Sequence, residues 1–235
     1  MTDRKLRDYC YEGLGLGIFM FSAGFFDALI DSPNLPIRQH IHSALIRRFF
    51  IGITMGLTAL YIFNAPFGKK SGAYINPAVT LVQYRLQNID RKDAFFYMLF
   101  QFMGGTLGMY LVYLAMPVLI SSPAINYIVT QPGTTGTAIA FIMEFIISFF
   151  IISTVLFTSD NKHLAKYTSL FVAILITLFI TFEAPYSGMS MNPARTFSSA
   201  IISNQWKVFW LYCIAPIGGM LFGERIFVWR KKVKN

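Results

Sequence analysis

The sequence predicts an all-α membrane protein built as an inverted repeat. Three observations carry this prediction: the composition, a set of six long apolar blocks, and a signature that occurs twice. Of the 235 residues, 55% are hydrophobic and only 13% are charged, whereas about a quarter of the residues of a soluble domain are usually charged. One helical crossing takes about 20 residues, so the chain has room for six crossings and their connections.

Each apolar block is close to the length of one crossing. None alternates like the strands of a barrel, and their glycines suit close contact between helices. We expect such contact at Gly104-Gly105 and Gly218-Gly219. The first block lacks a convincing cleavage site, so it is predicted to be a retained helix rather than a signal peptide. The blocks are approximately 10–30, 44–64, 93–117, 138–158, 167–183 and 207–228.

Several function classes find no support in the sequence. The net charge is +9, but Lys and Arg lie between apolar blocks rather than along one face, which argues against a nucleic-acid partner. Cys10 and Cys213 lie near opposite ends of the chain without a neighbouring His or Cys, so neither a metal site nor a disulfide framework is predicted. No nucleophile elbow, zinc-binding helix or phosphate loop occurs. We therefore expect no enzyme activity and no cofactor.

The positive charges predict the orientation in the membrane. With a cytoplasmic N-terminus, 15 of the 20 Lys and Arg residues fall on the cytoplasmic side and four outside, with Arg195 within the membrane. Cytoplasmic loops carry an excess of such residues, so both termini are expected in the cytoplasm, with the chain in the cell membrane. Arg47 and Arg48 go against this bias, and we expect them to extend outward from the start of the second helix.

Two shorter apolar stretches, 76–86 and 192–203, begin with Asn-Pro and are too short to cross a membrane. A short segment that starts at Pro is a candidate half-helix, which is tolerated only where protein or water surrounds its end. Each half of the chain has three crossings, an odd number, so the second half enters from the opposite side. The signatures are Ser71-Gly-Ala-Tyr-Ile-Asn-Pro-Ala-Val-Thr80 and Ser187-Gly-Met-Ser-Met-Asn-Pro-Ala-Arg-Thr196, identical at six of ten positions.

The paired Asn-Pro-Ala signatures, one glutamate early in each half and Arg195 after the second signature resemble the aquaporin (major intrinsic protein) family. The resemblance covers approximately residues 9–228. It implies six transmembrane helices, two re-entrant half-helices and a homotetramer with one pore per subunit. It also implies a single channel domain over residues 1–235, with a first half at about 9–117 and a second at about 138–228.

The two Asn-Pro-Ala triplets are the expected pore centre. Asn is a favourable N-cap, and Pro at the first helical position loses no hydrogen bond because that N–H would be unpaired anyway. The Asn carbonyl then caps its helix while the NH₂ group donates into the lumen. Two positive helix ends meeting there disfavour a cation, and a water held by two donors relays protons poorly. The residues are Asn76, Pro77, Ala78, Asn192, Pro193 and Ala194.

Glu12 and Glu144 fall inside apolar spans, where a carboxylate is costly unless it is paired or hydrogen-bonded. One interpretation is a proton relay or an ion site. Their equivalent places in the two halves, with the family resemblance, favour the other, in which each carboxylate accepts backbone N–H groups of a re-entrant loop. For Glu183 two interpretations stay open: it supports the loop at 184–191, or it faces water.

A selectivity filter is expected on one side of the pore centre. Arg195 is a permanently charged donor that can bind a permeating oxygen and repel cations. Alignment with the family places two further residues beside it, and the residue from the second helix depends on a one-residue gap. The expected filter is Arg195, Ile180, Met189 and Met55, with Ile51 or Thr54 as alternatives to Met55.

The solute prediction is water, with glycerol or other small uncharged solutes as the alternative. Ile180 and Tyr74 stand where water-selective members typically carry His, which counts against strict water selectivity. Thr196 replaces the Asp usual in glycerol facilitators, Tyr212 resembles the aromatic residue usual in water channels, and the connections are short. A secondary transporter would need coupling-ion ligands at the midplane, and a packing protein would have a closed pore.

Overall fold

The computed structural model describes residues 3–234, and this part of the chain is helical, without strands. Six helices in it are long and apolar enough to cross a membrane, which confirms the predicted all-α membrane fold. The helices are α1 (Asp3–Asp31), α2 (Ala44–Asn64), α3 (Pro77–Arg85), α4 (Arg91–Ala115), α5 (Thr137–Ser159), α6 (Thr168–Leu178), α7 (Pro193–Ser203) and α8 (Phe209–Lys234). Short turns of helix connect them at Pro36–His40, Pro66–Ser71, Pro117–Ile120, Asn126–Ile128 and Ala165–Tyr167.

Two element ends differ from the predicted blocks. The third block was expected to reach residue 117, but α4 ends at Ala115 because Pro117 starts a separate turn and cannot continue the hydrogen bonding of α4. The fifth crossing continues beyond α6 through a π turn at Phe179–Glu183 and a last turn at Ala184–Ser187. A π turn inside a helix is rare and inserts an extra residue.

The helices α3 and α7 are the two half-helices. They have nine and eleven residues, and at about 1.5 Å per residue each covers about half of a bilayer core of about 30 Å. Each begins at a Pro, and the preceding Asn is its N-cap. Both pack against α4 and α8, the third crossing of each half, and against one another. The two half-helices therefore occupy equivalent places in the inverted repeat.

Glycine allows α1 to lie against α4 and α5 against α8. A Cβ atom added at Gly104 would collide with the backbone oxygen of Gly13, and one added at Gly219 would collide with that of Phe145. The expectation of close contact at Gly218 is wrong, because a Cβ there would meet only the Phe145 ring at an ordinary 3.5 Å. In each half, glycine thus lets the backbones of the first and third crossings come close together.

Arg47 does not extend outward as expected. It is buried, and its guanidinium donates to the Asp31 carboxylate and to the carbonyl oxygens of Ile41 (2.7 Å) and His42 (2.8 Å). A buried charge persists where it is paired and its donors are satisfied. Arg48 is half-buried, and its Nε donates to the Thr181 carbonyl at 3.2 Å. Both arginines therefore join the ends of crossings to one another.

Candidate functional site

A cavity of about 740 Å³ runs between the two halves of the described chain. Asn64 and Ser169 line it at the end of the bundle that holds the chain termini, which we call the terminal end. Asp31 and Arg48 line it at the other end, which we call the distal end. Asn76 lies between these groups, where the half-helices meet. The cavity therefore extends along the crossings rather than forming a pocket on one side.

The two signature asparagines lie side by side on this cavity. Each caps its own half-helix, since Asn76 Oδ1 accepts from the Ala78 amide at 2.9 Å and Asn192 Oδ1 accepts from the Ala194 amide at 3.0 Å. Each Asn NH₂ group has two N–H donors. One of them is used within the protein, because each Nδ2 donates to a backbone carbonyl just before the opposite asparagine. These bonds are Asn76 to Met191 and Asn192 to Ile75, both 2.8 Å.

The loops before the half-helices have the same unusual backbone. Ala73 and Ile75 in the first loop have φ of 47° and 42°, and Met189 and Met191 in the second have 51° and 53°. Such left-handed conformations are uncommon outside glycine, above all for a β-branched residue such as Ile75. Each costs about 1–3 kcal/mol and persists only where its surroundings enforce it. In both loops a buried glutamate accepts a hydrogen bond from the amide of the second of these residues, Ile75 or Met191.

In the first half that residue is Glu12. It is fully buried, and its carboxylate accepts from the amides of Tyr74 (3.0 Å) and Ile75 (2.6 Å). Gln101 Nε2 also donates to it, at 2.8 Å. One carboxylate thus satisfies two adjacent backbone donors that the left-handed turn leaves unpaired, together with a buried amide side chain.

Glu144 holds the second loop in the same way. It is also fully buried and accepts from the amides of Ser190 (2.6 Å) and Met191 (2.7 Å), as well as from the Ser187 hydroxyl (2.8 Å). These are the residues of the second signature that correspond to those bound by Glu12. Neither glutamate lines the cavity.

A pair of tyrosines completes the support of both loops. Tyr97 donates to the carbonyl oxygen of Ser71 at 2.9 Å, and Tyr212 donates to that of Ser187 at 2.5 Å. Both are buried, and Tyr212 has no exposed surface and does not line the cavity. From the sequence, Tyr212 was noted only as a feature shared with the family, and Tyr97 was missed. The repeat could have indicated Tyr97, because both tyrosines lie on the third crossing of their half.

Arg195 lies on the cavity at the start of α7. Its Nη1 donates to the carbonyl oxygen of Ile128 at 3.0 Å. Ile128 belongs to a tight turn, Asn126–Ile128, whose three residues all have positive φ. A guanidinium has five N–H donors, so others stay directed at the cavity after this bond is made. The turn thereby fixes the arginine without using up its donors.

The other expected filter positions also lie on the cavity, with one exception. Ile180, Met189, Met55 and Ile51 all line it. Thr54 does not, and its hydroxyl donates to the Ile51 carbonyl at 2.8 Å within its own helix. Ile180 lies in the π turn that follows α6. Of the three candidates on the second helix, Met55 and Ile51 therefore line the cavity and Thr54 does not.

Glu183 follows neither interpretation in full. Its side chain is buried, with 4% of the residue exposed, so it does not face water. Neither of its carboxylate oxygens has a hydrogen-bond partner in the described part of the chain. It thus lacks the backbone N–H contacts that Glu12 and Glu144 make.

Sequence reasoning missed the charged side chains at the distal end of the cavity. Asp27, Asp31 and Arg48 line it there. The signal for Asp27 was its place inside an apolar crossing, where an ionisable side chain usually faces the bundle interior or water. Among the described residues, no group of three or more His, Cys, Asp or Glu side chains is arranged to hold a metal ion.

Six crossings, two half-helices capped at Asn-Pro and a lumen inside one chain define a class of multi-pass membrane protein. The sequence profile of the Major intrinsic protein family matches residues 4–227, and the chain belongs to this family. The resemblance drawn from the signatures is thereby confirmed.

The relatives and the fold agree with this membership. The chain is 33% identical to Aquaporin-4 of Bos taurus over 179 residues, which are 75% of this chain and 54% of that protein. It is 31% identical to Aquaporin NIP3-1 of Arabidopsis thaliana over 179 residues, 74% of this chain and 54% of that protein. The chain spans about half the length of these curated relatives. The crystal structure of the aquaglyceroporin from Plasmodium falciparum shares the fold, with a TM-score of 0.80, 21% identity, and 95% and 96% of the two chains covered.

Proposed function

We propose that this protein is a passive transmembrane channel for water that excludes ions and protons. The observation that carries the proposal is the pair of asparagines at which two half-helices meet on one lumen. Each asparagine caps a helix N-terminus, and such an end carries a positive partial charge. A cation at this point meets two positive ends and two N–H donors rather than a ligand.

The second N–H of each asparagine is available to donate a hydrogen bond to the permeating water. One N–H of Asn76 and one of Asn192 are held by backbone carbonyls, which fixes both amide planes. A water that passes accepts from the two remaining donors through its oxygen. Its own hydrogens then point away from the centre along the lumen, so a proton cannot be handed through this point.

Beyond the centre, Arg195 and the apolar side chains of Ile180, Met189 and Met55 form the proposed filter. Arg195 donates to the permeating oxygen and repels cations. Three bulky apolar neighbours leave a narrow passage with few polar contacts, which suits a small molecule moving in single file. Glycerol needs more width.

A facilitator of glycerol or other small uncharged solutes is the second candidate. The apolar walls given by Ile180 and Met189 favour it, since they suit a carbon backbone. The fold is also shared with the aquaglyceroporin from Plasmodium falciparum.

Glu12 and Glu144 count against a proton-coupled transporter or an ion site. Both carboxylates are occupied by backbone N–H donors, and neither touches the lumen. Among the described residues, neither of these two acids is therefore available in the lumen to bind a coupling ion. We assign the protein no catalytic role.

The same proposal includes a homotetramer in the cell membrane, with both termini in the cytoplasm. Helix α4 carries a stripe of large apolar side chains that are more than half exposed, at Met103, Leu107 and Leu114. Spaced by about one or two helical turns, they form one face. In a bilayer such a face contacts either lipid or another copy of the chain, which is compatible with assembly.

Reconstitution in liposomes tests the proposal. We expect osmotic shrinkage much faster than that of empty liposomes, glycerol entry close to background, and neither ion conductance nor proton flux above empty liposomes. Readily measured glycerol entry without fast water flow would favour the second candidate. Ion conductance would overturn the exclusion argument based on the asparagine pair.

A further inference from the structure

One face of helix α1 lies on the lumen. Phe19, Ala23, Asp27 and Asp31 all line the cavity, and they follow one another at intervals of four residues, the spacing of one helix face. The first two are apolar, and the last two bring carboxylates to the distal end. Asp27 is thus the acid that reaches furthest into the crossing from that end.

The two acids differ in their partners. Asp31 accepts from the guanidinium of Arg47, and Arg38 Nη1 lies 3.9 Å from it. Asp27 makes neither a hydrogen bond nor an ion pair with any residue in the described part of the chain. A carboxylate within a membrane crossing is costly unless something solvates it. Because Asp27 is half-buried and lines the cavity, the group that solvates it is whatever occupies the lumen.

The donors at this end are arranged differently. Arg195 and Arg48 also line the cavity, and each is fixed by a bond to a backbone carbonyl, of Ile128 and Thr181 respectively. Asp27 and Arg195 line the same cavity, and no salt bridge joins them in the described part of the chain. The lumen is thus lined by a hydrogen-bond donor, Arg195, and by a separate acceptor, Asp27.

We propose that Asp27 is a water-binding residue of the lumen, which accepts a hydrogen bond from a permeating water while Arg195 donates one to it. This inference rests on the proposed function. Ile180 lines the same cavity and is apolar, so its side chain cannot hydrogen-bond to a permeating water. Asp27, on a different helix, supplies the second polar group that Ile180 cannot. A water entering an apolar constriction then keeps both a donor and an acceptor.

Two size-matched pairs of variants test the inference. Asp27→Asn and Asp27→Leu have nearly the same shape, but only Asn offers an acceptor, and Asp27→Ser and Asp27→Ala repeat the comparison with smaller side chains. The readout is osmotic water permeability per channel in liposomes. We expect the polar member of each pair to conduct about three- to tenfold faster than the apolar member, the size of one net hydrogen bond, and the activation energy to be higher in the apolar one.

The outcomes separate this inference from the proposed function. If the unmodified protein moves no more water than empty liposomes, the water channel itself is refuted, and the role of Asp27 with it. If the unmodified protein conducts water but both pairs conduct equally, the role of Asp27 alone is refuted. Asp27 has no hydrogen-bond or salt-bridge partner to lose in the described part of the chain, so we expect all four variants to purify as monodisperse protein. Should the Leu variant not fold, the smaller pair gives the decisive comparison.

Discussion

The side-chain amide of Asn192 donates a hydrogen bond to the backbone carbonyl of Ile75, 2.8 Å away on the opposite half of the repeat. Asn76 makes the matching bond to Met191. Each half-helix cap is thereby held in place by the strained loop of the other half. The two re-entrant loops consequently form one structural unit, and a substitution that destabilises one loop is expected to destabilise the other.

Replacing Asn192 by Ala tests this coupling. The variant loses an N-cap, worth about 1 kcal/mol, and the bond to the Ile75 carbonyl. We expect a lower melting temperature in detergent, slower water flow, and a measurable proton leak, because one central donor is gone. Asn34→Ala is the matched control, since Asn34 is exposed in a connecting turn. A stable variant with unchanged water and proton permeability would contradict the proposed role of the asparagine pair.

Replacing Glu12 or Glu144 by Ala should impair the folding of the protein rather than remove a proton-coupled flux. Each change leaves two adjacent buried backbone donors without an acceptor, at about 1–3 kcal/mol for each donor. We expect reduced yield and a lower melting temperature. Gln at the same position keeps one acceptor oxygen and should lose less. Variants that fold normally and lose only a proton-coupled flux would support the transporter hypothesis instead.

Replacing Arg195 by Val should widen the filter and remove its charge. We expect faster glycerol entry and a weaker exclusion of cations, with water flow retained. Solute-swelling and conductance measurements on the same liposomes report both effects. Arg225→Val, at an exposed position of α8, controls for the loss of a surface charge. Glycerol entry and conductance that match the unmodified protein would place the filter elsewhere.

Two glycines in equivalent helices should respond differently to Ala. A Cβ at Gly104 would collide with the Gly13 backbone, whereas one at Gly218 finds an ordinary contact at 3.5 Å. Overpacking costs about 1–3 kcal/mol, while Ala in an open helical position gains up to about 1 kcal/mol of helix propensity. We therefore expect Gly104→Ala to lower the melting temperature and Gly218→Ala to leave it unchanged or raise it. Equal melting temperatures would argue against the tight approach of α1 and α4.

The sequence by itself determined the six crossings, the starts of the half-helices and the repeat. The reason is that lipid imposes a local rule: each crossing must be apolar, long enough, and internally hydrogen-bonded. A short segment that begins with Asn-Pro is too short for a crossing, so it can be recognised from the sequence. The family signatures indicated Asn76 and Asn192 as the expected pore centre, and the described structure places both side chains on one lumen.

Only the tertiary structure decided which side chains meet. Arg47 is buried on Asp31, Glu183 is enclosed without a hydrogen-bond partner in the described chain, and Ile75 is left-handed. Each of these depends on contacts between distant parts of the chain. Hydropathy reports whether a residue suits the membrane, but not whether its helix turns it toward lipid, toward a neighbouring helix or, as with Asp27, toward the lumen. That direction is fixed by how the helices pack against one another, because packing alone determines which face of each helix is left for the lumen.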